Sequence, residues 1–218
     1  MWHKGWRHHI WSAIDQPWDL LIIGGGITGA GVLRQAVAAG LKALLVEAND
    51  FAFGTSSRSS KLIHGGFRYL RNKQINVTKE SVREREWILR EAPNLVTPLG
   101  FLLPNFDRYH FPSWKLGLGV MIYDLLAPKW NHHKYDLVKL RKACPVLNAD
   151  GLIGGFQYYD AAMDDVRVLL RVLREAVQAG GVALNYTRAD RLLRTGDGQV
   201  FAGRCLEIVY LLVERVLK

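Results

Sequence analysis

The sequence predicts an α/β fold built on a parallel β-α-β unit near the amino terminus. Three observations predict it. An apolar run ends on three consecutive glycines. A segment of helical length follows, and a second apolar run then returns to end on a carboxylate. Parallel strands need such a crossover, and its path is right-handed in nearly every known case.

Asp19–Ile23 reads as a buried strand that runs into Gly24. Ile27–Ala39 reads as a helix stopped by Gly40, a glycine just past its end. Leu41–Glu47 is the second strand. Residues 50–66 are rich in serine and glycine and predict a loop, with a helix starting near Ser60. Asn76–Glu91 alternates charges at helical spacing, with Val77, Val82 and Trp87–Leu89 available for a buried face. Pro93–Pro112 is expected to be extended and irregular. Trp114–Ala127 is an apolar helix, either a core helix or an interfacial one. Asp165–Gly180 is amphipathic through Val166, Leu169, Leu170, Val172, Leu173 and Val177, and Val182–Tyr186 follows as a strand. Arg191–Phe201 predicts a hairpin turning at Gly196-Asp197-Gly198.

The composition is that of a globular protein. Of 218 residues, 49% are hydrophobic and 22% charged, which excludes a disordered tail or a fibre. Two cysteines, Cys144 and Cys205, make no disulfide framework, so a reducing compartment is expected. The net charge of +9 is concentrated: residues 51–142 hold 16 Lys/Arg against 7 Asp/Glu, and the remainder hold 13 against 13. A basic middle suits a phosphorylated ligand, an anionic lipid or a nucleic acid, or a solvated surface. Met1–Trp18 is aromatic and basic but lacks an apolar targeting core. The longest uncharged stretch, Ala92–Phe106, is 15 residues with three prolines, too short and too broken to span a bilayer.

The glycine loop carries the first chemistry. Gly24-Gly25-Gly26-Ile27-Thr28-Gly29 fits G-x-G-x-x-G between a strand and a helix, and Glu47 lies 23 positions beyond Gly24. That context is what a dinucleotide fingerprint requires. Gly24 permits the tight turn, Gly26 lets backbone approach a pyrophosphate, and Gly29 lets helix pack on strand. The helix N-terminus favours phosphate. Glu47 can accept hydrogen bonds from a ribose hydroxyl and repels a 2′-phosphate, which disfavours NADP. The fingerprint leaves FAD and NAD open, since both carry an ADP half.

The next segment, Gly54–Leu70, is a run of hydroxyls with Lys61, His64, the pair Gly65-Gly66, then Arg68 and Tyr69. Hydroxyls and backbone N–H groups suit a pyrophosphate and a ribityl chain, and paired glycines let backbone lie against a flat ring. Arg68 offers a planar fork for a phosphate or carboxylate. Composition alone is also compatible with a solvated Ser/Gly loop.

The segments DLLIIGGGITGAG, LLVEANDFAFGTSSRSSKLIHGGFRYL and YYDAAMDDVRVLL resemble the FAD-dependent glycerol-3-phosphate dehydrogenases, membrane-associated flavoenzymes of the D-amino-acid-oxidase-like superfamily. TSSRSSKLIHGGFRYL is the specific part; the glycine loop is shared by many flavoproteins. The resemblance runs from about Trp18 to about Gly198. It implies a Rossmann-like FAD-binding sheet of the glutathione-reductase/D-amino-acid-oxidase type, incomplete and carrying an inserted helical segment. The implied organisation is an arm over 1–17, an FAD-binding core over 18–92, an inserted region over 93–160 that can face a membrane, a return to the core over 161–200, and an atypical tail over 201–218.

The resemblance also implies site roles. Gly24, Gly26, Thr28 and Gly29 would hold the FAD pyrophosphate, with Glu47 on the adenosine ribose. Thr55, Ser56, Ser57, Ser60, Lys61, Leu62, His64, Gly65 and Gly66 would line the flavin half. Arg68 and Tyr69 would face the substrate phosphate, and Ala189 would meet adenine through its backbone. The implied reaction oxidises sn-glycerol 3-phosphate to dihydroxyacetone phosphate, with hydride passing to flavin N5 and electrons to a quinone. The implied location is cytoplasmic, peripheral on the inner membrane surface, with no nucleic-acid partner. The alternatives are a non-catalytic, truncated FAD-binding remnant, an NAD-dependent dehydrogenase, or another FAD-dependent enzyme of the superfamily.

Other candidates are weaker. His64 is a general base or an orienting group for the flavin, the second being favoured, and no catalytic base is assigned. His8-His9 and His132-His133 lack metal-ligand spacing and read as surface residues, so no metal is expected. Asp160, Asp164 and Asp165 read as helix-capping acids. Cys144 is assigned no reactivity. Trp2, Trp6, Trp11 and Trp18 read as an arm packed on the body. Phe201–Lys218 departs from the family, which continues through further strands, an Ala-Thr-Gly segment and a substrate-binding sheet. A truncated or frameshifted end is therefore expected, with apolar surface left exposed and little turnover by the chain alone.

Overall fold

The computed structural model describes residues 4–12, 14–64, 69–70, 72, 74–109, 112–126, 132–198 and 200–207. In chain order the elements are α1 (Trp6–Ser12), β1 (Leu20–Ile23), α2 (Ile27–Ala38), β2 (Ala43–Val46), β3 (Leu62–Ile63), α3 (Ile75–Glu91), β4 (Val96–Phe106), α4 (Ser113–Leu126), β5 (His133–Tyr135), α5 (Leu137–Ala143), β6 (Leu152–Met163), α6 (Asp165–Gln178), β7 (Val182–Leu184), β8 (Thr187–Arg194) and β9 (Val200–Glu207). They form two compact units. One is Met1–Ser59 with Asp165–Lys218, and the other is Ser60–Asp164.

The first unit is the predicted α/β fold. Its parallel sheet has the order β1-β2-β7, with Leu20 opposite Ala43 and Leu44 opposite Val182. All four residues of β2 are buried because both faces of the sheet are covered. Side chains alternate along the strand. Ala43 and Leu45 pack with Ala30, Leu33 and Ala36 of α2 and with Leu169, Leu173 and Ala176 of α6. Leu44 and Val46 turn the other way, with Leu184, onto Trp6, Ile10, Trp11, Ile14 and Trp18. The aromatic arm is therefore the cover of the second face. Each fully buried leucine contributes about 1.5–3 kcal/mol of transfer free energy. The predicted hairpin is β8 with β9, Thr187 facing Glu207. An open groove beside β1 is lined by Leu20, Val32, Ala36 and Leu41.

The second unit differs more from its sequence-based reading. Its antiparallel sheet has the order β3-β6-β4, with β5 also on β6. The helix expected near Ser60 is instead the short strand β3, Leu62 opposite Ala162 and Ile63 opposite Ala161. A long-range partner decides that segment, and local propensity does not. The irregular stretch expected over Pro93–Pro112 contains the 11-residue strand β4, paired with β6 from Val96–Met163 to Phe106–Leu152. Pro98 and Pro104 are tolerated because β4 lies at an edge of the sheet.

Alternation along β6 puts Phe156, Tyr158 and Asp160 on one face. Phe156 and Tyr158 pack with Val82 of α3 and with Val120 and Tyr123 of α4. Asp160 is not a helix cap. It is buried at 2% exposure and accepts from Arg85 Nη1 at 2.5 Å and from the Tyr123 hydroxyl at 2.6 Å. Arg85 also donates to the Tyr159 carbonyl at 3.1 Å and pairs with Glu86 at 3.0 Å. An ion pair so deeply buried is tolerable only because its remaining valences are met. Burial works against the Arg85 cation, yet Tyr123 and Asp160 outweigh it and its pKa lies above the ordinary arginine value.

Burial and the neighbouring Asp160 carboxylate push the Tyr158 phenol up to about 12 and hold Tyr123 well above the ordinary tyrosine value. A raised folded-state pKa gives stability that is intact below the unfolded value of 10.0 and is lost as pH rises through the folded one. Unfolding free energy is therefore expected to fall between pH 10 and about 12. In a spectrophotometric titration of phenolate absorbance, Tyr158 should ionise only near pH 12, later than an ordinary tyrosine, and Tyr123 later still. Replacing both by phenylalanine should remove that late-titrating fraction.

Candidate functional site

The glycine turn is closed by three contacts that only glycine geometry permits together. Gly24 has φ +118°, and its N–H donates to the Val46 carbonyl at 2.8 Å. A Cβ on Gly29 would lie 2.0 Å from the Gly24 carbonyl oxygen, so the start of α2 sits against the end of β1 with no room for a side chain. A Cβ on Gly25 would meet Glu47 Cβ at 2.8 Å and Phe51 Cδ1 at 2.9 Å. Gly25 is thus a requirement that motif reading passed over, since the pattern leaves its second position free. Gly26 is extended at the N-cap of α2 and supplies no side-chain cap, and Thr28 stands exposed in the first turn. Among the described residues, the amino end of this helix presents backbone N–H groups, the Thr28 side chain and one serine from outside it.

That serine is Ser56, whose hydroxyl accepts from Ile27 N at 3.0 Å. Thr55–Ser57 forms a 3₁₀ turn, and Ser57 donates to the Gly54 carbonyl at 3.2 Å. Ser59 donates to Asp165 at 2.8 Å, which ties the loop to the start of α6. Asp165 also accepts from Val166 N at 3.0 Å, the helix-terminal role expected of it. The first half of the hydroxyl-rich segment thus lies directly on the glycine turn.

Glu47 leaves β2 with its carboxylate divided between two backbone donors, Gly25 N at 2.7 Å and Asn49 N at 2.8 Å. A carboxylate has about four acceptor sites, so two hydrogen bonds leave capacity for hydroxyl donors. Ala189 lies in β8 opposite Cys205, its side chain packed toward Leu44, Val46 and Leu184. Backbone N–H groups at a helix start and a carboxylate at the end of the second strand thus stand at the carboxyl ends of parallel strands, where open α/β sheets generally bind ligands.

The remaining predicted residues belong to the second unit. Ser60, Lys61 and His64 are exposed and Leu62 is half-buried in β3. Lys61 adopts φ +57°, and its carbonyl accepts from Met163 N at 2.8 Å. Tyr69 is half-buried, and its carbonyl accepts from Gln74 N at 2.9 Å. Gly65, Gly66 and Arg68 lie outside the described residues. His132 departs from the surface reading: its Nδ1 lies 2.8 Å from the buried Asp124 carboxylate, which also accepts its backbone N–H at 3.0 Å. The Arg85–Asp160 pair was not legible because its members are 75 residues apart, and the His132–Asp124 dyad because no local motif marks it.

Comparison with known proteins shows what this chain is similar to. The model of the FAD dependent oxidoreductase (DAO) family matches residues 19–209. The chain is 35% identical over 207 residues to the aerobic glycerol-3-phosphate dehydrogenase of Staphylococcus epidermidis, covering 93% of this chain and 37% of that one. It is 37% identical over 198 residues to that of Staphylococcus aureus, covering 89% and 36%. Among solved structures, the glycerol-3-phosphate dehydrogenase of Bacillus halodurans complexed with FAD superposes with a TM-score of 0.71 at 31% identity, covering 95% of this chain and 34% of that one. The L-α-glycerophosphate oxidase of Mycoplasma pneumoniae, at 18% identity and TM-score 0.62, shares the fold. The chain thus spans little more than a third of the length of its curated relatives.

The Gly29 contact gives a direct test. Gly29→Ala must displace α2 from β1, whereas Gly31→Ala adds a methyl that meets nothing within 4 Å. Chemical denaturation should show a loss of roughly 1–3 kcal/mol or more for the first and little change for the second.

Proposed function

The chain belongs to the FAD-dependent oxidoreductase family, and from that premise we propose that it is the flavin-binding portion of a glycerol-3-phosphate dehydrogenase. The observation that carries the proposal is the meeting of Gly24–Gly29, Ser56 and Glu47 at the start of α2, in a chain 35–37% identical to aerobic glycerol-3-phosphate dehydrogenases along about nine-tenths of its length.

The residues fit the adenosine and pyrophosphate half of FAD. Gly24, Gly26, Thr28 and Gly29 would hold the pyrophosphate, through backbone N–H groups that a side chain at Gly29 would displace. Glu47 accepts from the adenosine ribose with the oxygen capacity left by Gly25 and Asn49. Ala189 offers backbone to adenine. Thr55, Ser56 and Ser57 would continue toward the flavin half, which Ser60, Lys61, Leu62, His64, Gly65 and Gly66 would line. Arg68 and Tyr69 take the substrate phosphate, a dianion for which a planar guanidinium is the suited partner. FAD held there supplies the two-electron acceptor for oxidation of the C2 alcohol of sn-glycerol 3-phosphate to dihydroxyacetone phosphate, with a quinone as onward acceptor. His64 would orient the flavin by hydrogen bonding.

Quinone reduction calls for a membrane surface, and α4 has the face for one. Trp114, Leu118, Met121 and Leu125 recur at helical spacing and are 65%, 43%, 36% and 60% exposed. The opposite side buries Val120 and Tyr123. Lys115 Nζ lies 5.6 Å from the Trp114 ring centroid, which places a cation at the rim of the stripe. No helix among the described residues is long and apolar enough to cross a membrane. Peripheral attachment on the cytoplasmic face through α4 fits both facts.

Two measurements test these readings. Purified chain reconstituted with FAD should show the visible flavin band. Anaerobic sn-glycerol 3-phosphate should bleach it in a single turnover, while steady-state dye reduction stays small. Binding of NAD in place of flavin would overturn the cofactor, and bound flavin indifferent to glycerol 3-phosphate would overturn the substrate. In co-sedimentation with anionic vesicles, Trp114→Ser with Leu125→Ser should lower the bound fraction severalfold. Unchanged sedimentation would exclude α4 as the attachment face.

A further inference from the structure

We infer that Arg7, in the amino-terminal helix α1, is a positioning residue for the adenosine half of FAD, acting through Asn185 and Asp50. Arg7 Nη1 donates to both oxygens of Asn185, the backbone carbonyl at 2.7 Å and Oδ1 at 2.6 Å. The Asn185 amide nitrogen donates to Asp50 Oδ1 at 2.8 Å, and the same oxygen accepts from Phe51 N at 2.8 Å. All of these residues belong to the first unit.

The chemistry of the three side chains makes this relay directional. Arginine only donates and an ionised carboxylate only accepts, so an amide between them has one satisfied orientation. Arg7 fixes the Asn185 oxygen, and the amide NH₂ must then face Asp50. Asp50 in turn holds the segment that leaves β2. That segment carries Glu47 and Asn49, and it is stitched to the loop after β7 by Tyr186 N to the Asn49 carbonyl at 2.8 Å and Thr187 N to the Glu47 carbonyl at 2.7 Å. It is stitched to the glycine turn by Ala52 N to the Gly25 carbonyl at 3.0 Å and by Glu47 to Gly25 N. Two loops at the carboxyl ends of β2 and β7 are where an open α/β sheet receives its ligand. The apolar side of the arm is held by Trp6, Ile10 and Trp11 on the sheet, so Arg7 is delivered to the rim by a packed helix.

The arm, which the sequence presents as a cover, thus also sets the shape of the ribose-binding edge. The inference rests on FAD as the cofactor and not on the identity of the substrate. It is tested by titrating FAD into apoprotein and following the quenching of flavin fluorescence, with ADP as a second ligand for the adenosine half. Arg7→Met should raise the Kd for FAD about five- to tenfold and that for ADP by the same factor. Asn185→Ala should do likewise, and the double variant should be no worse than either single one, because both break one relay. Arg7→Lys, which keeps a donor and a charge and is the milder change should Arg7→Met fold poorly, should recover part of the loss. Unchanged FAD affinity in Arg7→Met, losses that multiply in the double variant, or ADP affinity that does not follow FAD would overturn the inference. Failure of the unsubstituted chain to bind FAD would instead overturn the cofactor assignment beneath it.

Discussion

The contact between the Gly29 position and the Gly24 carbonyl is the constraint on which the first unit is built. With no Cβ there, α2 starts directly on the end of β1 with no side-chain cap on its first N–H groups. The same closeness lets Glu47 reach back from β2 to Gly25 and lets Ser56 reach Ile27. A side chain at position 29 would separate helix from strand and with it the helix-start N–H groups from the Glu47 carboxylate. The site is therefore a consequence of backbone packing more than of any one polar side chain.

The two units solve the burial of polar groups differently. In the first, the buried polar side chains among the described residues are Asp165 at the start of α6 and Thr187 at the start of β8, while the parallel sheet is apolar on both faces. In the second, a charged pair lies inside the core, with Arg85 4% and Asp160 2% exposed. Such a pair costs desolvation that the Tyr123 hydroxyl and the Tyr159 carbonyl help offset. It joins α3, α4 and β6 by directional bonds, which a purely apolar core would not supply.

What could be read in advance follows from range along the chain. The β-α-β unit, the glycine turn and the amphipathic α6 rest on patterns within about 30 residues, and each emerged within a few residues of its expected bounds. Strand β6 was not anticipated, because Gly154-Gly155 and its tyrosines break any simple alternation. Strand β4 was hidden by prolines that only an edge position can accept. The segment at Leu62-Ile63 carried helix-like composition and became a strand because β6, a hundred residues on, offered a ladder. At the site, Glu47 and the glycines were legible, but Gly25, Asn185 and Arg7 were not. Their roles come from neighbours that share no local motif with them.

By itself, then, the amino-acid order determined the parallel crossover, its phosphate-ready turn and the acid at the end of the second strand. Those depend on backbone conformations that glycine alone adopts easily and on apolar periodicity within one short stretch. Tertiary structure decided which distant residues meet: Arg7 with Asn185, Arg85 with Asp160, and the tryptophan arm with the outer face of the sheet. Hydrogen bonds and packing act through space over a few ångströms, and separation along the chain places no limit on which groups they join.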